Sequence, residues 1–232
     1  MTQLTNNQSS SNKLYWVADN VIADTFPPVE TALHDPNGLL AIGGDLSADR
    51  LLDAYGKGIF PWYSQGQPIL WWSPDPRCVL IPNEMYISKS LKKLMRKNKF
   101  IITNNKAFDD VISKCAEPRN GNPDTWITNE INDAYKALNN KGHILSIEVW
   151  HNNYLVGGLY GVVLGKVFFG ESMFSNISNA SKVALAHLAD LLKTNNFKLI
   201  DCQIYSKHLQ SLGAKPMQRN LFINTLKHYC NI

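Results

Sequence analysis

Residues 145–174, LSIEVWHNNYLVGGLYGVVLGKVFFGESMF, decide the fold. Their β-branched and aromatic residues fall into three runs, Leu145–Trp150, Tyr154–Leu164 and Lys166–Phe174. Asn152-Asn153 and Gly165 separate the runs, and both residue types tolerate the backbone of a tight reversal, so the pattern is a meander of hairpins. The period then changes. Residues 178–194 place Leu185, Leu188, Leu191 and Leu192 on one helical stripe, and Phe197–Tyr205 returns to a strand pattern. The order β-β-β-α-β suits an α+β fold of three layers, with helices covering a mostly antiparallel sheet.

The GNAT-like (N-acetyltransferase) arrangement is one well-known member of that class. Upstream, residues 88–98, 106–116 and 129–139 read as amphipathic helices. Their inward residues are Leu91/Leu94/Met95, Phe108/Val111/Ile112/Cys115 and Ile131/Ala134/Tyr135/Leu138. Between Leu14 and Pro61 turn formers dominate, as in DPNG at 35–38, where proline fixes one φ and glycine is free to take a positive one. Ser47 is placed to cap a short helix with Leu51, Leu52 and Tyr55 on one face, ended by Gly56 and Gly58. The expected organisation is a flexible polar arm at 1–13, a small N-terminal domain of loops and one helix at 14–76, and a larger GNAT-like domain at 77–232.

Composition removes several classes. The 232 residues are 44% hydrophobic and 10% aromatic, which supports a sizeable core and excludes wholesale disorder. No stretch approaches the ~18 apolar residues of a membrane span, and the start, MTQLTNNQSSSNK, has no secretory pattern. Cys78, Cys115, Cys202 and Cys230 form no CxxC pair, and the six histidines show no metal spacing. A metal-free, cofactor-free cytoplasmic protein with reduced thiols is expected. The net charge of +4 permits a polyanionic partner without requiring one.

Three features could carry chemistry. Lys89, Lys92, Lys93, Arg96, Lys97 and Lys99 are six cations without an intervening acid. The plain reading is a solvated helix face; the functional one is a phosphate track, because self-repelling cations are relieved by a nucleic-acid backbone. Phe60, Trp62, Tyr63, Trp71 and Trp72 form an aromatic cluster that is either a buried junction or a stacking platform for a base, with Trp126 a lone similar candidate. Glu171, Asp201 and Gln203 sit in otherwise apolar strands, where unsatisfied burial would be costly. Asp201 and Gln203, two apart, are expected on one strand face. They form either a structural hydrogen-bond network or a polar site in an apolar pocket. Gly157, Gly158 and Gly161 inside a strand mark a bulge or a close backbone approach. No Gly-rich loop of the acyl-CoA type precedes the helix at 178–194.

Taken in order, FPP at 26–28, PNGLLAIGGDLS at 36–47, GIFPWYSQGQPILWWSPDPR at 58–77, TWIT at 125–128, GGLYGV at 157–162, FFGESMFS at 168–175, LIDCQ at 199–203 and HLQSLGA at 208–214 resemble the leucyl/phenylalanyl-tRNA–protein transferases. The resemblance implies transfer of Leu, Phe and Met from aminoacyl-tRNA to proteins beginning with Arg or Lys, marking them for N-degron (N-end rule) degradation. It implies Asp201 and Gln203 at the reacting amine with Glu171 beside them. It also implies Leu159, Phe168, Met173 and Leu185 around the donor side chain, and Trp62 and Trp126 at the terminal adenosine of the tRNA. Lys89, Lys92, Lys93, Arg96 and Lys97 would follow the acceptor stem, and a monomer is expected.

That chemistry asks little of the protein. An aminoacyl ester is already activated, so the enzyme has to position an amine on the carbonyl and keep it deprotonated. Asp201 is expected to polarise Gln203 or to draw the proton, with the adenosine's own hydroxyl as the other candidate relay; Glu171 or Asp201 would favour a cationic acceptor. The rival classes are a CoA-dependent acyltransferase of related fold and a non-catalytic RNA-binding module.

Overall fold

The structure is a computed structural model that describes residues 14–19, 26–118 and 126–230. The arm expected at 1–13 lies outside the described residues, as does Thr125 of TWIT. The strands are β1 (Tyr15–Val17), β2 (Leu39–Gly43), β3 (Phe60–Pro61), β4 (Leu70–Trp72), β5 (Arg77–Leu80), β6 (Ile101–Asn104), β7 (Ile144–His151), β8 (Tyr154–Leu164), β9 (Val167–Ser175), β10 (Leu199–Gln203) and β11 (Lys215–Met217). The helices are α1 (Ala48–Gly56), α2 (Lys89–Arg96), α3 (Phe108–Ala116), α4 (Asn129–Asn140), α5 (Ala180–Thr194), α6 (Lys207–Gln210) and α7 (Arg219–Tyr229).

A seven-stranded sheet runs β11-β5-β10-β9-β8-β7-β6. The meander β7-β8-β9 is antiparallel as its hairpin signals require, and α5 carries the chain over so that β10 joins β9 in parallel. One core gathers α1, α3, α4 and α7 on this sheet; a second gathers α2 and α5. This is the α+β arrangement of three layers expected from residues 145–205. None of the described helices is long and apolar enough to cross a membrane.

The N-terminal part is more than loops and one helix. Leu39–Gly43 and three shorter strands build a four-stranded sheet, β1-β2-β4-β3. Strands of two or three residues carry too little alternation to be read from sequence, and β4 lies in a proline-rich run. Ser47 stands at the N-cap of α1 but makes no side-chain cap there; its main-chain N–H donates to Asp45 Oδ1 at 2.9 Å. The DPNG turn does use its glycine: Gly38 has φ +91° and a Cβ there would meet the Pro74 backbone at 2.5 Å. Asn37 next to it exchanges hydrogen bonds with the main chain of Asp75, which clamps this turn onto the WWSPDPR segment. Hydrophobic packing joins the two sheets, because Leu51, Tyr55 and Trp71 share a core with Val111, Tyr135 and Phe169.

Candidate active site

Two adjacent strands lose their regularity at the same level. Pairing of β9 with β8 shifts register between Ser172 and Gly170, leaving Glu171 as the extra residue. Pairing of β10 with β5 shifts between Asp201 and Gln203, leaving Cys202 extra. A bulge bends its strand, and the parallel β9–β10 register, Leu199↔Val167 to Asp201↔Phe169, runs no further. Between the parted strands lies a cavity of about 240 Å³. Leu159, Phe168, Met173 and Leu185 line it with Leu188 and Ile200, and Glu171, Asp201, Cys202 and Gln203 contribute to the same wall. All four apolar residues and all three polar ones expected at the site are therefore together.

Gly161 makes room for this. A Cβ there would lie 2.1 Å from the Phe169 carbonyl oxygen and 2.5 Å from the Phe168 ring, so only glycine lets Phe168 lie against the cavity at this register.

Glu171 gathers three side-chain donors at the cavity wall. Its Oε1 accepts from the Tyr55 hydroxyl at 2.7 Å and from Gln203 Nε2 at 2.9 Å, and its Oε2 accepts from the Tyr135 hydroxyl at 2.6 Å. The two tyrosine hydroxyls are themselves 2.6 Å apart. With Glu171 ionised, both hydroxyls donate to it; the third contact, between the hydroxyls, gains a proton only when Glu171 is protonated and donates to one of them. Burial, opposed by the hydrogen bonds from Tyr135 and Tyr55, raises the carboxyl to about 7. Both phenols are pushed well above their ordinary range by burial and then by the charge of Glu171, so they remain donors.

Asp201 is differently occupied. It is fully buried, and its Oδ1 and Oδ2 accept from Arg77 Nε and Nη2, each at 2.8 Å. Arg77 lies between the rings of Phe60 and Phe222, 4.6 and 4.8 Å from their centroids, and also donates to Gly58 O. Asp201 Oδ1 takes a further bond from the main-chain N–H of Gln203 at 2.9 Å. The simple expectation that Asp201 and Gln203 leave one face of a regular strand is corrected by the bulge and by φ +60° at Gln203. Asp201 reaches the Gln203 backbone, and the Gln203 amide reaches Glu171.

The aromatic cluster divides. Phe60, Tyr63 and Trp71 are buried as a junction, with the Trp71 indole donating to Gly43 O at 2.8 Å. Trp62 is 42% exposed and lies 5.7 Å from Trp72, ring centre to ring centre. Trp126 is half-buried against the first core. Neither Trp62 nor Trp126 lines the cavity. On α2, Leu91 is buried while Lys89, Lys92, Lys93 and Arg96 are exposed, as is Lys97 beyond it. Among the described residues none of the ion pairs includes these five cations.

Tyr55, Tyr135 and Arg77 were not among the expected site residues. Periodicity marks both tyrosines as core-facing, and they are; the remaining signal is that a buried hydroxyl demands a partner. Arg77 closes the WWSPDPR motif, and nothing local in sequence announces that it meets a carboxylate 124 positions away. Among the described residues no group of three His, Cys, Asp or Glu side chains could hold a metal.

Comparison with known proteins places this geometry. Residues 79–227 match the family described as leucyl/phenylalanyl-tRNA protein transferase, and residues 44–75 match its N-terminal domain. The leucyl/phenylalanyl-tRNA–protein transferase of Azotobacter vinelandii is 54% identical over 90% of this chain and 92% of its own. That of Pseudomonas fluorescens Pf0-1 is 54% identical over 93% and 95%. Among solved structures, a GCN5-related N-acetyltransferase from Kribbella flavida aligns with 71% of this chain and 58% of its own at 9% identity and a TM-score of 0.38, a likeness too distant to argue from. More than half of the aligned positions are shared with enzymes of this name along nearly the whole chain, and the chain belongs to the leucyl/phenylalanyl-tRNA–protein transferase family of aminoacyltransferases.

Proposed function

We propose that the cavity between β9 and β10 holds the donor side chain and that Glu171 and Gln203 at its wall handle the attacking amine. The observation that carries this reading is the joining of an apolar recess and a carboxyl of near-neutral pKa in one cavity. A recess of this lining suits Leu, Phe and Met and disfavours polar side chains. One methylene is worth only about 1–3 kcal/mol, so discrimination among apolar donors is loose.

Peptide-bond formation needs the acceptor's α-ammonium to lose a proton before nitrogen attacks the ester carbonyl. Glu171 is suited to take it, because a base works best when its pKa lies near the working pH. Asp201, with both oxygens held by Arg77, acts by holding the Gln203 backbone. Gln203 orients Glu171 through its amide. Once ionised, Glu171 also favours a cationic first residue, hence acceptors beginning with Arg or Lys.

Trp62 and Trp126 contact the terminal adenosine, and Lys89, Lys92, Lys93, Arg96 and Lys97 follow the phosphates of the tRNA. The enzyme works as a cytoplasmic monomer, with residues 14–76 as the small domain and 77–232 as the catalytic one. The test is direct: incubation with labelled Leu-tRNA and an Arg-initiated peptide should place label on the peptide, with no transfer from leucyl-CoA. Label that stays on tRNA in the presence of native protein overturns the reading.

A further inference from the structure

One thiol stands in the wall of this site and a second lies behind it on the next strand, and the transfer chemistry uses neither. Cys78 lies in β5 and Cys202 in β10, and both are free. Asp201 pairs with Val79 and Gln203 with Cys78, so the bulged pair Cys202 and Gln203 share Cys78 as their cross-strand neighbour. Both sulfurs lie on the α5 side of the sheet: Cys78 belongs to the second core and Cys202 packs against it. Cys202 Sγ donates to Ile200 O at 3.9 Å, and the two thiols lie near enough to perturb each other's titration, Cys78 downward and Cys202 upward. Cys78 is directly opposed by Gln203, and Cys202 is the bulged residue next to it, so the two cysteines are neighbours across adjacent strands, the arrangement that a disulfide with its roughly 4.4–6.8 Å Cα span requires.

Access is unequal. Cys78 is 2% exposed, whereas Cys202 is partly exposed and lines the cavity. The neighbouring thiol lowers Cys78 against the effect of burial, and both the neighbouring thiol and burial raise Cys202. Asp201 and Arg77, the charged groups nearby, are paired with each other at 2.8 Å. Cys202 is therefore the sulfur that a solute in the cavity reaches, and Cys78 the neighbour placed to close on it. The remaining cysteines, Cys115 and Cys230, are buried in the other core.

We propose that Cys78 and Cys202 form an oxidisable dithiol, which a peroxide entering the donor cavity converts to a disulfide that stops aminoacyl transfer. One peroxide oxygen passes to the Cys202 sulfur, giving a sulfenic acid and one water. The Cys78 sulfur then attacks that sulfur; the oxygen leaves as hydroxide and takes the Cys78 proton, forming the second water. Two thiols lose two electrons and two protons, and one peroxide gains them. An S–S bond draws Cys202 toward β5 and displaces Gln203, whose backbone holds Asp201 and whose amide holds Glu171. The consequence for activity rests on the transfer reading; formation of the bond does not.

The intact reduced protein is treated with hydrogen peroxide near neutral pH, alkylated, digested and mapped by mass spectrometry. A peptide joining Cys78 to Cys202 is expected, with Leu transfer falling at least about tenfold and returning with dithiothreitol. Saturating Leu-tRNA should slow the cross-link by filling the cavity. Cys78→Ser, and Cys78→Ala as a second variant, should keep untreated transfer and lose the sensitivity to peroxide. Absence of the joined peptide overturns the proposal, as does a joined peptide with transfer intact or a Cys78→Ser enzyme as sensitive as the parent. Should the untreated protein transfer nothing, the transfer reading fails while the peptide map still decides the dithiol. Should neither variant fold, the parent's map and its recovery with dithiothreitol decide it.

Discussion

The Gln203 amide nitrogen lies 2.9 Å from Glu171 Oε1, bridging β9 and β10 beyond the last backbone pair between them, Asp201 and Phe169. A side-chain bond thus takes over where the ladder stops, and it fixes the width of the gap in which the cavity lies. Gln203→Ala removes that bridge. The expected outcome is at least a tenfold fall in transfer rate, about 1.4 kcal/mol of barrier, with donor affinity nearly unchanged. Single-turnover rates beside Leu-tRNA binding would show the split, and equal losses in both would assign Gln203 to donor binding instead.

Glu171 should make both activity and stability depend on pH around 7. With the carboxylate as base, transfer rises about tenfold per pH unit below 7 and levels off above it. Glu171→Gln should flatten that rise. Stability runs the other way. Burial raises the folded carboxyl from 4.5 to about 7, so its contribution is complete below the unfolded value and is lost as pH rises through the folded one. Urea unfolding of the parent should lose up to about 3 kcal/mol relative to Glu171→Gln between acid and alkaline ends of this window. A constant difference between the two proteins would refute the shift.

Arg77 and Asp201 should be strongly coupled. Arg77→Met leaves a buried, unpaired carboxylate, an effect of about 3–5 kcal/mol. Adding Asp201→Asn should recover part of that loss, because the orphaned charge is gone. A double-mutant cycle on urea midpoints measures the coupling, and additive losses would mean that the pair is energetically independent.

Gly161→Ala should destabilise the fold by about 2 kcal/mol or more, because its Cβ would meet the Phe169 backbone oxygen, which cannot move cheaply, and the Phe168 ring, which must shift. The ring is displaced toward the cavity, so transfer of Phe should fall more than that of Leu. Unfolding midpoints and the Phe/Leu rate ratio test the two halves separately.

Replacing Lys92, Lys93, Arg96 and Lys97 with Ala should weaken tRNA binding and reduce the slope of log affinity against log salt by up to about three, as expected when several phosphate contacts are lost. Leu91 and Ser88 are untouched, so α2 keeps its buried anchor and its N-cap, in which the Leu91 N–H donates to Ser88 Oγ at 3.2 Å. An unchanged salt slope would remove these cations from the phosphate track.

Much of the fold was legible because its elements are long and periodic. The three runs of 145–174, the leucine stripe of α5 and the three upstream helices depend on local alternation, and they stand where that alternation puts them. β5, β6, β11 and the small N-terminal sheet are not legible, since strands of two to five residues carry almost no period, and α7 buries only Phe222 and Leu226, too few to mark a stripe. At the site, residue types in apolar strands pointed to Glu171, Asp201 and Gln203, and family motifs pointed to the apolar lining. The division of labour among the three was not legible.

Sequence by itself determined the order of strands and helices, the apolar faces, the cationic character of α2 and the family, because each of these is written in neighbouring residues or in motifs. Only the tertiary structure decided that Arg77 neutralises Asp201, that Tyr55 and Tyr135 converge on Glu171, and that two bulges fall side by side. Those facts depend on register and on contacts between residues dozens of positions apart. A carboxyl's chemistry is set by what surrounds it in space, and local sequence does not encode that neighbourhood.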